Sequence, residues 1–379
     1  MKKIVFYIVI GMIAAIVSGV LIYSNKTNQK QGVIRIGIIL PLTGELANFG
    51  NTVLDGINLK LSEAENEKSL EINVVLEDSK GQPNLALSAF NKLVNINRVN
   101  CVIGDLTSSA TLALVPESRR RNILLISPTA SNPALTNISP FFYRVYPSDV
   151  IDAKIAASYC FDNLVARNAS IVYLNNDYST GLKDEFTRVF TNLGGKIIET
   201  ISFESHVNDF RTIIARIKNG QSDLVYIIGH PLGIANFLRQ SKELNLDVNF
   251  FSNVAAEDRE FLTTAGNAAN GLYFTAPAFD LQSDDEKIQD FVSRFRKKYN
   301  YLPDVHAVKG YDLMTILMSS FDNGHFTSKE IKNFIDRTKI FHGISGEYRF
   351  VNGDVELPIA IKKYVNGEIV LLEKINPKE

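Results

Sequence analysis

CVIGDLTSSATLALVPESRRRNILLISPTASNP, residues 101–133, holds in one stretch the pattern that decides the fold. A short apolar run, Cys101-Val102-Ile103-Gly104, leads into a polar loop. A segment with apolar residues at helical spacing follows, and then a second apolar run that ends at Ser127. Continuous apolar strands alternating with amphipathic helices mark a parallel sheet covered on both faces. Strands are predicted over 100–104 and 123–127, with a helix over 109–119.

The same alternation extends in both directions. Towards the N-terminus, strands are predicted over 34–40 and 71–77 and helices over 51–66 and 84–95, four βα units in all. Towards the C-terminus the pattern restarts: strand 170–174, helix 181–192, strand 196–203, helix 209–218, strand 224–228, helix 234–244, strand 249–252. Between the two series lies Phe142-Tyr143-Arg144-Val145-Tyr146-Pro147-Ser148-Asp149, read as an extended crossing between two lobes. A second crossing is read at 272–280, where Pro277 interrupts strand-like residues. Helices over 284–299, 307–321 and 328–338 follow. The tail carries Asn352-Gly353 and Asn366-Gly367 between apolar runs, each a hairpin signal. The fold class expected is α/β, with two doubly wound parallel-sheet lobes.

Length and charge narrow the function classes. The 379 residues suggest two domains. Forty basic residues against 41 acidic ones give a formal net charge of −1, which leaves no electrostatic attraction to nucleic acid. Two cysteines, Cys101 and Cys160, fit no metal spacing and are expected as buried free thiols. At the start, Lys2 and Lys3 precede an uncharged run over 4–23, long enough to span a bilayer at about 20 residues. It reads as an export signal or an anchor, with 24–31 as a tether, and it places the folded part outside the cytoplasmic membrane. No cysteine near the end of the run offers a point for lipid attachment.

In open parallel sheets ligands bind beyond the carboxyl ends of the strands. Two such loops stand out. Thr107-Ser108-Ser109 leads into a helix whose first N–H groups have no carbonyl partner, and hydroxyls beside such groups form a receptor for a carboxylate. Taken alone, Thr107 or Ser108 is more readily a helix cap. Ser127-Pro128-Thr129-Ala130-Ser131-Asn132-Pro133 lies at the end of the next strand, so the two loops can converge.

These residues, with Gly37-Ile38-Ile39-Leu40-Pro41-Leu42-Thr43-Gly44, Phe49-Gly50, Asp177-Tyr178-Ser179-Thr180-Gly181 and Gly310-Tyr311-Asp312, resemble the leucine-isoleucine-valine binding protein family, the solute receptors of ABC importers. The resemblance spans about 33–370. It implies a type I periplasmic binding protein with three crossings, the third near 343–346, and hinge closure on the ligand. The lobes expected on this basis are 33–146 plus 278–343 and 147–277 plus 344–375. It further implies that Ser108, Thr129 and Ser131, with Ser109 beside them, hold the ligand carboxylate. Phe49 is expected against the ligand from one lobe and Tyr178 from the other. The implied partners are a small-molecule ligand, an amino acid or related carboxylate, and a membrane permease; no cofactor is implied.

The second lobe departs from the family pattern. Asn253-Val254-Ala255-Ala256 stand where an acidic residue is expected, with Glu257 a few positions late, and His230 stands where an aromatic hydroxyl is common. A ligand ammonium needs an acceptor in a desolvated cleft. Either Glu257 or Asp280 supplies it, or the ligand is an amide, urea or aromatic acid. No catalytic motif is present and the histidines, at 206, 230, 306, 325 and 342, lack ligand spacing, so neither an enzyme nor a metal site is expected. The same fold also serves as a sensor. Neighbouring genes for permeases and ATPases would go with import, a neighbouring kinase with sensing.

Overall fold

The computed structural model describes residues 33–66 and 71–376. The export segment expected over 4–23 lies outside these residues. Among the described residues no helix is long and apolar enough to cross a membrane.

The first lobe begins with β1 (Ile34–Leu40), α1 (Ala47–Asn66), β2 (Ile72–Asp78), α2 (Pro83–Lys92), β3 (Cys101–Gly104), α3 (Ser108–Arg121), β4 (Leu124–Ser127) and β5 (Phe142–Arg144). These strands form one parallel sheet in the order β2-β1-β3-β4-β5, with Ile38 opposite Ile103 and Ile103 opposite Ile126. Because successive strand residues point to opposite faces, the sheet divides its apolar side chains between two layers. Ile36, Ile38 and Ile103 pack with Val53 and Ile57 of α1, whereas Ile39, Val102 and Leu125 pack with Phe90 of α2 and with Ala110 and Leu114 of α3. Both faces are thus covered, as the uninterrupted apolar strands predict.

The chain then enters the second lobe through α4 (Asp149–Asp162), β6 (Asn168–Leu174), α5 (Asp177–Asn192), β7 (Lys196–Phe203), α6 (Arg211–Asn219), β8 (Leu224–Ile228), α7 (Pro231–Glu243), β9 (Asn249–Ser252), α8 (Arg259–Ala265) and β10 (Tyr273–Pro277). It returns to the first lobe for α9 (Glu286–Tyr299), α10 (Val305–Asp322) and α11 (Ser328–Arg337). Four short strands follow, β11 (Phe341–Gly343), β12 (Gly346–Tyr348), β13 (Phe350–Val351) and β14 (Asp354–Val355), before β15 (Ile359–Val365) and β16 (Glu368–Ile375) close the second sheet. Its order is β16-β15-β10-β9-β8-β6-β7. β15 runs antiparallel to β10 and β16 runs antiparallel to β15, so this sheet is mixed at one edge. Asn352-Gly353 and Asn366-Gly367 both have positive φ at each turn residue, the geometry of the tight turns their sequence predicts.

α10 lies close against α1 because both helices carry glycine at the contact. A Cβ on Gly310 would stand 2.1 Å from the carbonyl oxygen of Val53, and one on Gly56 would stand 2.0 Å from that of Ala307. This close crossing seats the start of α10 beside the start of α1. Both cysteines are buried and free.

Three passages join the lobes, over 145–148, 278–285 and 356–358. The third lies later than the 343–346 expected. Residues 346–355 pack on the first lobe: Tyr348 Oη donates to Asp312 at 2.7 Å, Arg144 N donates to Gly353 O at 3.0 Å, and Arg144 Nε pairs with Asp354 at 2.7 Å. We therefore place the boundary at 355/356 instead of 343/344. Ala278 N donates to Pro358 O at 2.9 Å, so the second and third passages run side by side.

Candidate functional site

Loops at the carboxyl ends of the parallel strands of both sheets face each other across a cleft of about 640 Å³. Of the residues singled out in sequence, Phe49, Ser108, Ser109, Thr129, Ser131, Tyr178 and His230 all line it. Glu257 does not.

On the first lobe the wall is organised by Asp105, which is fully buried. One carboxylate oxygen accepts from Thr107 N at 2.7 Å and from Thr107 Oγ1 at 2.9 Å; the other accepts from Ser79 Oγ. The main-chain oxygen of Asp105 accepts from Ser127 Oγ at 2.7 Å and Thr111 Oγ1 at 3.0 Å. Burial pushes the Asp105 carboxyl up to about 6 against the lowering effect of the Ser79 and Thr107 hydrogen bonds. Thr107 caps α3, its hydroxyl accepting from Ala110 N at 3.3 Å. Capping therefore falls to Thr107 and leaves Ser108 and Ser109 to the cleft. Their N–H groups lie in the first turn of a 14-residue helix, where no preceding carbonyl reaches them and the helix dipole favours an anion.

The second hydroxyl loop is fastened to the first. Thr129 Oγ1 donates to Leu106 O at 2.9 Å, Ser108 Oγ accepts from Asn132 N at 3.2 Å, and Asp149 N donates to Ser131 O at 2.9 Å. Arg144, with no exposed surface, donates to Asn132 O at 3.0 Å and Thr136 Oγ1 at 2.8 Å. The hydroxyls and N–H groups of this wall are therefore positioned mainly by buried side chains of the first lobe, with Asp149 of α4 adding a bond to Ser131.

The opposite wall starts at the N-terminus of α5, which Asn176 caps by accepting from Ser179 N at 2.8 Å. Tyr178 in its first turn accepts at Oη from Asn253 Nδ2 at 3.1 Å, and Asn253 also bonds both main-chain groups of Gly229 at 3.2 Å. Besides Asp149 N with Ser131 O, the contacts that bridge the lobes include these four. His230 Nδ1 lies 3.0 Å from Glu45 Oε1, Asn132 Nδ2 donates to Asp177 O at 2.5 Å, Asp177 N donates to Ser109 Oγ at 3.4 Å, and Asn48 Nδ2 donates to Asp258 at 2.6 Å.

Neither acid proposed to meet a ligand ammonium is in place for it. Glu257 ends a tight turn over 254–257 that carries its carboxylate to the buried Lys362 Nζ at 2.7 Å. Asp280 is taken up by Gln282 N at 2.9 Å, and it does not line the cleft. The acids that do line it, Glu45, Asp177 and Glu204, are all exposed.

Three groups escaped the sequence reading. Tyr146 lines the cleft, and its buried hydroxyl has no hydrogen-bond partner among the described residues. Asp149 and Asp152 lie behind Ser131 and Tyr178; burial, and for Asp149 also the neighbouring Asp152, raises both carboxyls, Asp152 to about 6. His306 lines the cleft with its ring 4.5 Å from that of Phe49. Its only sequence signal is a place at a helix start two residues after Asp304.

Residues 33–364 match the family described as periplasmic binding protein. The Leu/Ile/Val-binding protein BraC3 of Rhizobium johnstonii is 32% identical over 266 residues, covering 67% of this chain and 70% of its own length. The crystal structure of the leucine-binding protein LivK of Thermotoga maritima superposes with a TM-score of 0.85 at 28% identity, covering 91% of this chain and 99% of that one. The branched-chain amino acid transporter substrate-binding protein LivJ of Streptococcus pneumoniae, in complex with isoleucine, has a TM-score of 0.85 at 25% identity, covering 91% and 100%.

Proposed function

Because the chain belongs to the periplasmic binding protein family, we propose that it captures a small carboxylate-bearing solute, an amino acid or a close relative, and hands it to an ABC permease outside the cytoplasmic membrane. The observation that carries this reading is the convergence of the α3 N-terminus with the loop around Ser131, both held rigidly by Asp105 and Arg144. An anion there meets unpaired N–H groups and hydroxyls whose ordering precedes binding, so little entropy is lost when the ligand arrives. The likeness to amino acid receptors at 32% and 28% identity supports an amino acid as the solute.

Closure is then a rigid-body rotation about the three passages, and it brings the Tyr178 wall over the ligand. Ser108, Ser109, Thr129 and Ser131 take the carboxylate in this scheme. Phe49 and Tyr178 enclose the rest, and His230 sits at the mouth. Glu257 stays with Lys362.

The test is a thermal-shift screen of the full-length chain against the amino acids and small carboxylates. A ligand at about 100 times its Kd stabilises by about 2.7 kcal/mol. Ser131→Ala should weaken a hit selectively. Failure of every compound, or an unchanged Kd in Ser131→Ala, would sink the assignment.

A further inference from the structure

The carboxylate receptor occupies only one flank of the cleft. It stands at the start of α3, which covers one face of the first sheet, while α1 and α10 cover the other face. A ligand anchored on Ser108 and Ser109 that reaches across the strand ends meets Phe49 and His306 on the far flank.

His306 is 7% exposed, and that exposure is to the cleft. Its Nδ1 is turned towards Asp304 Oδ2 at 3.6 Å, too long for a full hydrogen bond, and has no other partner among the described residues. Asp304 is itself fixed by accepting from His306 N at 2.8 Å and Ala307 N at 3.0 Å. The imidazole is therefore held edge-on by Asp304 and face-on by Phe49, which leaves Nε2 as the nitrogen free for a ligand. An imidazole is unusual lining for a hydrocarbon side chain, because an unanswered N–H facing apolar matter in a desolvated site is costly.

We propose that His306 is a specificity-determining residue, donating Nε2–H to an oxygen acceptor at the end of the ligand remote from its carboxylate. The chain then prefers short acids with a second acceptor over acids ending in plain hydrocarbon. This rests on the carboxylate reading above. The charged groups facing His306 are Asp304 on its own helix start and Asp258 and Glu257 from the second lobe, with Lys362 paired to Glu257. Burial alone would lower the imidazole's affinity for a proton, but Asp304 first and Asp258 and Glu257 after it outweigh burial and raise it. The donor form thus persists to higher pH than in a free histidine.

The experiment is calorimetric titration of the full-length chain with two isosteric pairs, leucine against asparagine and 4-methylpentanoate against succinamate. Within a pair, titration of Asp105 and Asp152 cancels because both members share the carboxylate. The acceptor-bearing member of at least one pair should bind ~10-fold or more tighter at pH ~6, with the ratio falling towards pH ~8.5. His306→Phe should abolish or reverse the preference, and His306→Gln should keep it while flattening the pH profile. A preference for the hydrocarbon members at every pH, or the same ratio in His306→Phe, overturns the inference while leaving the carboxylate reading intact. If neither pair binds to any form, the carboxylate reading fails and this inference with it.

Discussion

The two walls of the cleft are made from the same element, a helix N-terminus following a parallel strand, yet they are held in place differently. On the first lobe, the loops that carry Ser108, Thr129 and Ser131 are braced chiefly by Asp105 and Arg144, buried residues of that lobe. On the second, Tyr178 leans on a single amide, Asn253, and His230 finds its partner, Glu45, only across the cleft. One wall is complete before a ligand arrives. The other is finished by closure, so ligand differences between related chains should be written into it and into the far flank around His306.

The largest effect expected from this contrast is on folding stability. Asp105→Ala removes three side-chain hydrogen bonds and leaves Ser79 and Thr107 facing a void, so it should cost about 3–4 kcal/mol in urea unfolding. Asn253→Ala also removes three side-chain hydrogen bonds, to Gly229 and Tyr178, but neutral ones, and should cost less, about 2–3 kcal/mol. Equal costs would erase the distinction between a braced wall and a wall completed by closure.

Next in size is a pH effect of Asp105 in the braced wall. The folded Asp105 carboxyl is raised from its ordinary 3.8 to about 6, chiefly by burial. Its contribution is therefore fully present below its ordinary value and is lost as pH rises through about 6. Asp105→Asn stays neutral throughout. Relative to this variant, the native chain should lose about 2–3 kcal/mol of stability between pH ~4 and ~7. A constant difference across that window would mean the carboxylate is not desolvated as described.

How much of this could be read from sequence differs between the walls too. The parallel strands were legible because burial on both faces makes them continuous apolar runs, and the two Asn-Gly turns because few dipeptides accept positive φ twice. The sequence pattern starts α1 at 51, four residues after its actual start at Ala47, since Gly50 and the polar residues around it hide the helical period. α4 went unread: Ala153, Ile155, Ala156, Ala157 and Cys160 are buried around most of its circumference, so no amphipathic stripe marks it. The braced wall is local in sequence, with its two loops 20 residues apart, so its cleft-lining hydroxyls are legible there. The far flank is not. His306 is meaningful only beside Phe49, Asp304 and Asp258, and Glu257 is withdrawn by Lys362, 105 positions later. Proximity in sequence to the end of β9 could not reveal a partner on β15.

The smallest expected effect tests the mouth of the cleft. Glu45 and His230 form the one interlobe pair among those described whose two partners are both ionisable side chains, and the Glu45 side chain is 37% exposed. An exposed pair of this kind is worth well under ~1 kcal/mol and is screened by salt. Because its partners come from different lobes, its whole effect should appear in closure. Glu45→Gln should leave the unfolding midpoint of the ligand-free chain unchanged within error while weakening ligand binding by about 2–4-fold at low salt, a difference that disappears near ~0.5 M salt. Loss of stability without ligand, or a binding defect indifferent to salt, would show that Glu45 works within its own lobe and that the second wall does not depend on the first for completion.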